Sequence, residues 1–128
     1  MKANRPSSTS LVVSESLALV GADPRTQGIV NRESWDFARS VLAFYGRSGT
    51  PSKFQRVTRG LAECCTIPGL CLHHAIRKRA VEDFVLGQIA TGTRQILIIG
   101  AGFDSLAFRL HRRFPEVRFV EIDHPATQ

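Results

Sequence analysis

Up to about residue 93, apolar residues recur at helical spacing; beyond it they cluster at strand-like density. Residues 1–10 are polar and serine-rich and read as a disordered tail. Leu11, Val12, Leu17, Leu19 and Val20 predict a short helix that Gly21 and Pro24 end. Trp35, Ala38, Val41, Leu42 and Tyr45 fall on one face of a helix over Ser34–Tyr45. Gly46, Gly49 and Pro51 mark a loop. A third helix, Ser52–Cys65, carries Phe54, Val57, Leu61 and Cys64 on one face, and Ile67-Pro68-Gly69 breaks it. A longer fourth helix, Leu70–Ile89, has Leu72, Ile76, Ala80 and Phe84 four apart with Val81 and Val85 beside them, and Gly92 ends the segment.

At Arg94 the pattern changes. Gln95 to Ile99 is a short run rich in β-branched residues without polar alternation, which predicts a parallel strand buried on both faces. Gly100-Ala101-Gly102-Phe103-Asp104-Ser105 follows at once. Leu106, Leu110 and Phe114 then share a helical face, Asp104 or Ser105 can cap its start, and Pro115 stops it. Val117 to Asp123 reads as a second strand.

A strand, a glycine turn, a helix and a strand ending in an acid make the first half of a nucleotide-binding unit. Glycines at positions 100 and 102 allow a tight turn and a close ligand approach. The helix that follows points unpaired N–H groups and a positive dipole end at the ligand. Asp123 lies 21 residues beyond Gly102, near the ~20 expected of an acid that accepts from ribose hydroxyls. A plain structural role remains the alternative, with the glycines serving tight packing alone. In a dinucleotide fingerprint the third glycine position supports helix packing, yet here it is Ser105, preceded by Phe103 and Asp104. A carboxylate at the turn is a poor neighbour for a pyrophosphate but suits a ligand carrying an ammonium and a sulfonium. The pattern therefore points away from NAD and toward S-adenosylmethionine.

Composition narrows the picture without naming the chemistry. The chain has 128 residues, 43% hydrophobic and 22% charged, which fits one ordinary globular domain at most. No apolar run approaches the roughly 20 residues of a membrane helix, and Ser14, Glu15 and Ser16 interrupt the first apolar stretch where an export signal needs continuity. A cytoplasmic protein with no membrane association is expected. The net charge of +6 raises nucleic acid as a partner, but the basic residues are dispersed and lack aromatic interleaving, so no nucleic-acid partner is expected. Cys64, Cys65 and Cys71, with His73 and His74 close behind, fit no zinc-ligand spacing and read as free buried cysteines, with no metal site.

Ile96 to Asp104, then Phe108-Arg109-Leu110, then Glu121-Ile122-Asp123-His124-Pro125, resemble the hallmarks of the leucine carboxyl methyltransferase family, which includes bacterial polyketide-type O-methyltransferases. Upstream, Arg77-Lys78-Arg79-Ala80-Val81-Glu82-Asp83-Phe84 is similar to that family's R-x-R-x-x-[DE]-D-F helix. The resemblance is sharp over residues 77–128. It implies an α/β fold, a helical N-terminal region over 11–93 followed from residue 94 by the first β-α-β of a Rossmann-like methyltransferase sheet. It implies that Arg77 pairs with the methionine carboxylate of S-adenosylmethionine, that Gly100, Ala101 and Gly102 line the cofactor, and that Asp123 holds the ribose hydroxyls. Without the resemblance Arg77 and Arg79 read as solvated helix-surface residues; Arg109, Arg112 and Arg113 lie toward the end of a helix, where positive charge suits the dipole, Glu121 reads as a strand-packing or salt-bridge residue, and His124 as polar surface.

The activity implied is methyl transfer to an oxygen of a small-molecule or peptide-carboxylate acceptor. A carboxylate acceptor needs no general base, whereas a hydroxyl usually does. Family members are longer, so an N-terminal fragment of such an enzyme is expected, with an unpaired strand edge open to self-association. The alternative is a non-catalytic remnant that binds nucleotide weakly or only associates with a partner.

Overall fold

The computed structural model describes residues 8–124. Residues 1–7 of the expected tail, and Pro125 of the E-[VI]-D-x-P match, lie outside them. The elements run α1 (Ser8–Ala22), a 3₁₀ turn (Gln27–Ile29), α2 (Arg32–Phe44), α3 (Lys53–Cys65), α4 (Leu70–Ala90), β1 (Gln95–Ile99), α5 (Leu106–Arg113) and β2 (Arg118–Ile122). The protein is thus mixed α/β, largely helical, with a small parallel sheet.

α1 takes in Ser8, Thr9 and Ser10, so these three polar residues are helical rather than part of a tail. It is the central helix, burying Leu11, Leu17, Ala18 and Val20 together with Ser14 and Ser16. The two serines tolerate burial because each hydroxyl donates one turn back, Ser14 to the Ser10 carbonyl at 3.1 Å and Ser16 to the Val12 carbonyl at 2.8 Å.

α2 begins where the Asn31 side chain accepts from the Ser34 N–H at 2.8 Å. Its expected face holds, with Ala38 and Leu42 buried and Trp35 packed against the core. The Trp35 ring lies over α1, donating from Nε1 to the Ala18 carbonyl at 3.2 Å. A Cβ at Gly21 would stand 2.9 Å from the ring's Cγ, so this helix contact requires glycine.

α3 is opened by a capping box between Ser52 and Gln55. Its expected apolar face finds no cover among the described residues: Phe54, Val57 and Leu61 are exposed. Cys64 and Cys65 are exposed too, and Cys71 is half-buried, so the expected burial of the cysteines is wrong for the pair on α3. The reason is the same uncovered helix.

α4 joins two apolar clusters. Ala75 belongs to the first, with Leu17, Val20, Val30 and Ala38. Val85 and Ile89 belong to the second, with Leu106, Leu110 and Val117. The change of pattern near residue 93 is therefore no gap in packing. The inward positions of α4 run through 75, 78, 82, 85 and 89, whereas Ile76 and Phe84 of the expected row are exposed.

β1 and β2 pair in parallel, Gln95 opposite Arg118 through Ile99 opposite Ile122, with α5 as the crossover. β1 is not buried on both faces. Ile96 and Ile98 pack on the second cluster, but Leu97 and Ile99 point to a face that no described element covers.

Candidate functional site

The parallel register brings the end of β1 beside the end of β2. The Gly100 N–H extends the ladder by donating to the Ile122 carbonyl at 2.7 Å. The backbone then turns through Gly100 and Gly102 at φ of 70° and 59°, the left-handed region where a side chain is strained. A Cβ at Gly102 would also stand 2.8 Å from Ser10 Oγ, whereas one at Gly100 would meet nothing within 4 Å. Gly102 is thus held by its surroundings, and Gly100 faces open space.

Asp123 leaves β2 next to this turn. Its carboxylate accepts from the Gly102 N–H and, through Oδ1, from the His124 N–H at 2.6 Å. The acid and the glycine turn therefore form one unit.

Asp104 ties the turn to two helices. Its Oδ1 accepts from the Leu106 N–H at 3.0 Å and caps α5. Its Oδ2 lies 2.6 Å from Lys78 Nζ on α4, with side-chain exposures of 17% and 23% respectively. Ser105 makes no capping bond; its hydroxyl accepts from Arg109 Nε at 3.1 Å and meets Ser34 Oγ at 3.2 Å.

A cavity of about 340 Å³ opens here. Arg77 and Lys78 of α4, the segment from Gly100 to Asp104, and Ser10 and Val13 of α1 are among its walls. Four of the five expected site residues, Arg77, Gly100, Ala101 and Gly102, therefore meet around one space. Asp123 stands behind them, bonded to Gly102. Sequence reasoning misses Lys78 and the start of α1. A serine-rich stretch at a terminus resembles a tail, and Lys78 is a charged residue on an inward stripe, which an apolar pattern skips.

The charges around the cavity interact. Partial desolvation, then the nearby Asp104 carboxylate, pushes the Glu121 carboxyl above its ordinary range, while Lys78 opposes the shift. On α4, burial first and the Arg77 guanidinium second lower the His74 imidazole. A larger cavity, about 410 Å³, lies by α1 and α3, where Arg47 and Arg59 both pair with Glu15. It contains none of the turn residues.

Arg109 does more than suit the dipole of α5. Its guanidinium lies in the interior, paired with Glu82. Arg79 does stay outside, pairing with Asp83 one turn on. Among the described residues no three His, Cys, Asp or Glu side chains gather as a metal site would require. No helix there is long and apolar enough to cross a membrane.

The residues present suit the amino-acid and ribose parts of S-adenosylmethionine. A guanidinium offers a fork for a carboxylate, Gly100 leaves room, and an acid stands at the end of β2.

Over 52 residues the chain is 40% identical to a candidate S-adenosyl-L-methionine-dependent methyltransferase of Streptomyces coelicolor, a match covering 40% of this chain and 18% of that protein. Candidate methyltransferases of the same description from Mycobacterium sp. strains KMS and JLS are 43% identical over 53 residues, 41% of this chain and 17% of each relative. These matches thus span under one fifth of the relatives' own length. No solved structure matches. The family model for leucine carboxyl methyltransferase matches residues 17–128, and the chain belongs to that family.

Proposed function

We propose that this chain carries the S-adenosylmethionine-binding half-site of a methyltransferase that acts on an oxygen nucleophile, a carboxylate or a hydroxyl. Residues 94–124 are then the first β-α-β of a Rossmann-like sheet, and residues 11–93 a helical region that walls its cofactor cavity. The observation that carries this reading is the meeting of Arg77 with Gly100, Ala101 and Gly102 around one cavity.

Bound S-adenosylmethionine supplies a methyl group already activated on a sulfonium. The chain's part is positioning. Arg77 holds the methionine carboxylate, since a guanidinium keeps its charge at any working pH. The turn at Gly100 and Gly102 lets the backbone approach the ligand without a Cβ in between. Asp123 accepts from the ribose hydroxyls while its bond to the Gly102 N–H keeps acid and turn in register.

Calorimetric titration with S-adenosylhomocysteine tests the reading. Binding by the 128-residue chain that is lost in Asp123→Ala and weakened in Arg77→Met is the expected result. A chain with its full helical circular-dichroism signal and no binding would overturn it.

A further inference from the structure

Within this cavity, Asp104 already holds an alkylammonium: the Lys78 Nζ, 2.6 Å from its Oδ2. The other oxygen, Oδ1, is fixed by the Leu106 N–H at 3.0 Å, so the orientation of the carboxylate does not depend on lysine. Both side chains line the cavity, next to Arg77 and the glycine turn. Lys78 rides on a flexible four-carbon stem and can yield its place; the capping carboxylate cannot move as far.

We propose that Asp104 and Lys78 read the zwitterionic amino-acid end of the cofactor: Asp104 takes the ligand's α-ammonium in place of Lys78, and Lys78 turns to the ligand carboxylate beside Arg77. This rests on the cofactor reading above and deepens it. Three charged side chains then match two ligand charges of opposite sign. A nucleoside lacking the amino-acid end gains nothing from the pair, so Asp104 and Lys78 determine specificity rather than general nucleotide affinity.

The test titrates the full chain with two ligands. One is S-adenosylhomocysteine; the other is 5′-methylthioadenosine, which lacks both the ammonium and the carboxylate. Asp104→Asn keeps an oxygen for the Leu106 N–H but removes the charge. It is expected to weaken S-adenosylhomocysteine about ten- to hundredfold and to leave 5′-methylthioadenosine unchanged. Lys78→Gln is expected to show the same selectivity with a smaller loss. Unchanged S-adenosylhomocysteine affinity in Asp104→Asn overturns the proposal. Equal losses for both ligands overturn it as well, because they report a damaged turn. A wild-type chain that binds neither ligand overturns the cofactor reading itself, and this inference with it. Binding of both without discrimination by the variants defeats this inference alone.

Discussion

Arg109 of α5 and Glu82 of α4 face each other through two parallel bonds, Nη1 to Oε1 at 2.8 Å and Nη2 to Oε2 at 2.7 Å. Their side chains are only 8% and 15% exposed. The pair is further satisfied: Asn31 Nδ2 donates to Glu82 Oε2 at 3.0 Å, and Arg109 Nε donates to Ser105. It thereby joins α2, α4 and α5 just behind the turn that Asp104 caps. Charges so placed are tolerable only together, because removing one strands the other out of water.

Glu82→Ala is therefore expected to lower stability by about 3 kcal/mol, read as a fall in the urea midpoint at unchanged slope. The double variant Glu82→Leu/Arg109→Met is expected to lose less than Glu82→Ala alone, since neither charge is then left without its partner. A double variant less stable than the single one would show that the pair is worth more than its desolvation.

The same stripe explains what the sequence can and cannot convey. Strand β1, the crossover helix and β2 are legible within a residue or so, because short apolar runs bounded by glycine and proline admit few alternatives. The inward face of α4 is not. Its inward positions include Lys78 and Glu82, so apolar periodicity selects the neighbouring row of Leu72, Ile76 and Phe84, which is exposed. The partners that make those charges tolerable, Asp104 and Arg109, lie beyond the next strand, and no local pattern links them. The burial of α3 and of the outer face of β1 fails for a different reason: amphipathicity says which face can be covered, and here no described element covers it. Within the site, the glycines, Arg77 and Asp123 stand out by motif, while the bond between Asp123 and Gly102 depends on the register of the two strands.

His74 gives the fold a pH dependence. Its Nδ1 lies 3.0 Å from Ser16 Oγ, within hydrogen-bond reach of α1. Folding lowers the His74 pKa below its ordinary 6.5, by burial first and by the Arg77 guanidinium next. The unfolded chain therefore binds more protons, and stability rises with pH through this range. The contribution is complete above the unfolded value and is lost as pH falls through 6.5 toward the lower folded value. Urea midpoints measured from about pH 7.5 down to about pH 5.5 are expected to fall more steeply for wild type than for His74→Gln. Parallel profiles would remove His74 as the cause.

The uncovered side of the sheet bears on self-association. Side chains alternate along β1, so Ile96 and Ile98 belong to the second cluster while Leu97 and Ile99 face outward, Ile99 at 77% exposure. Ile122, the register partner of Ile99, is exposed beside it. β2 occupies one edge of β1, and no described strand pairs with the other. An apolar face next to an open strand edge is what charged residues normally guard against on strands. Self-association along β1 is the expectation that such an edge raises. Sedimentation velocity over a concentration series is expected to show association by wild type that Ile99→Lys reduces. The substitution adds a charge where the side chain is already in water, so the helical signal and urea midpoint should stay near those of wild type. Ile98→Lys, one residue back but facing the core, should instead unfold the second cluster. Association unchanged by Ile99→Lys would exclude the β1 edge and leave the exposed face of α3, with Phe54, Val57 and Leu61, as the contact to examine.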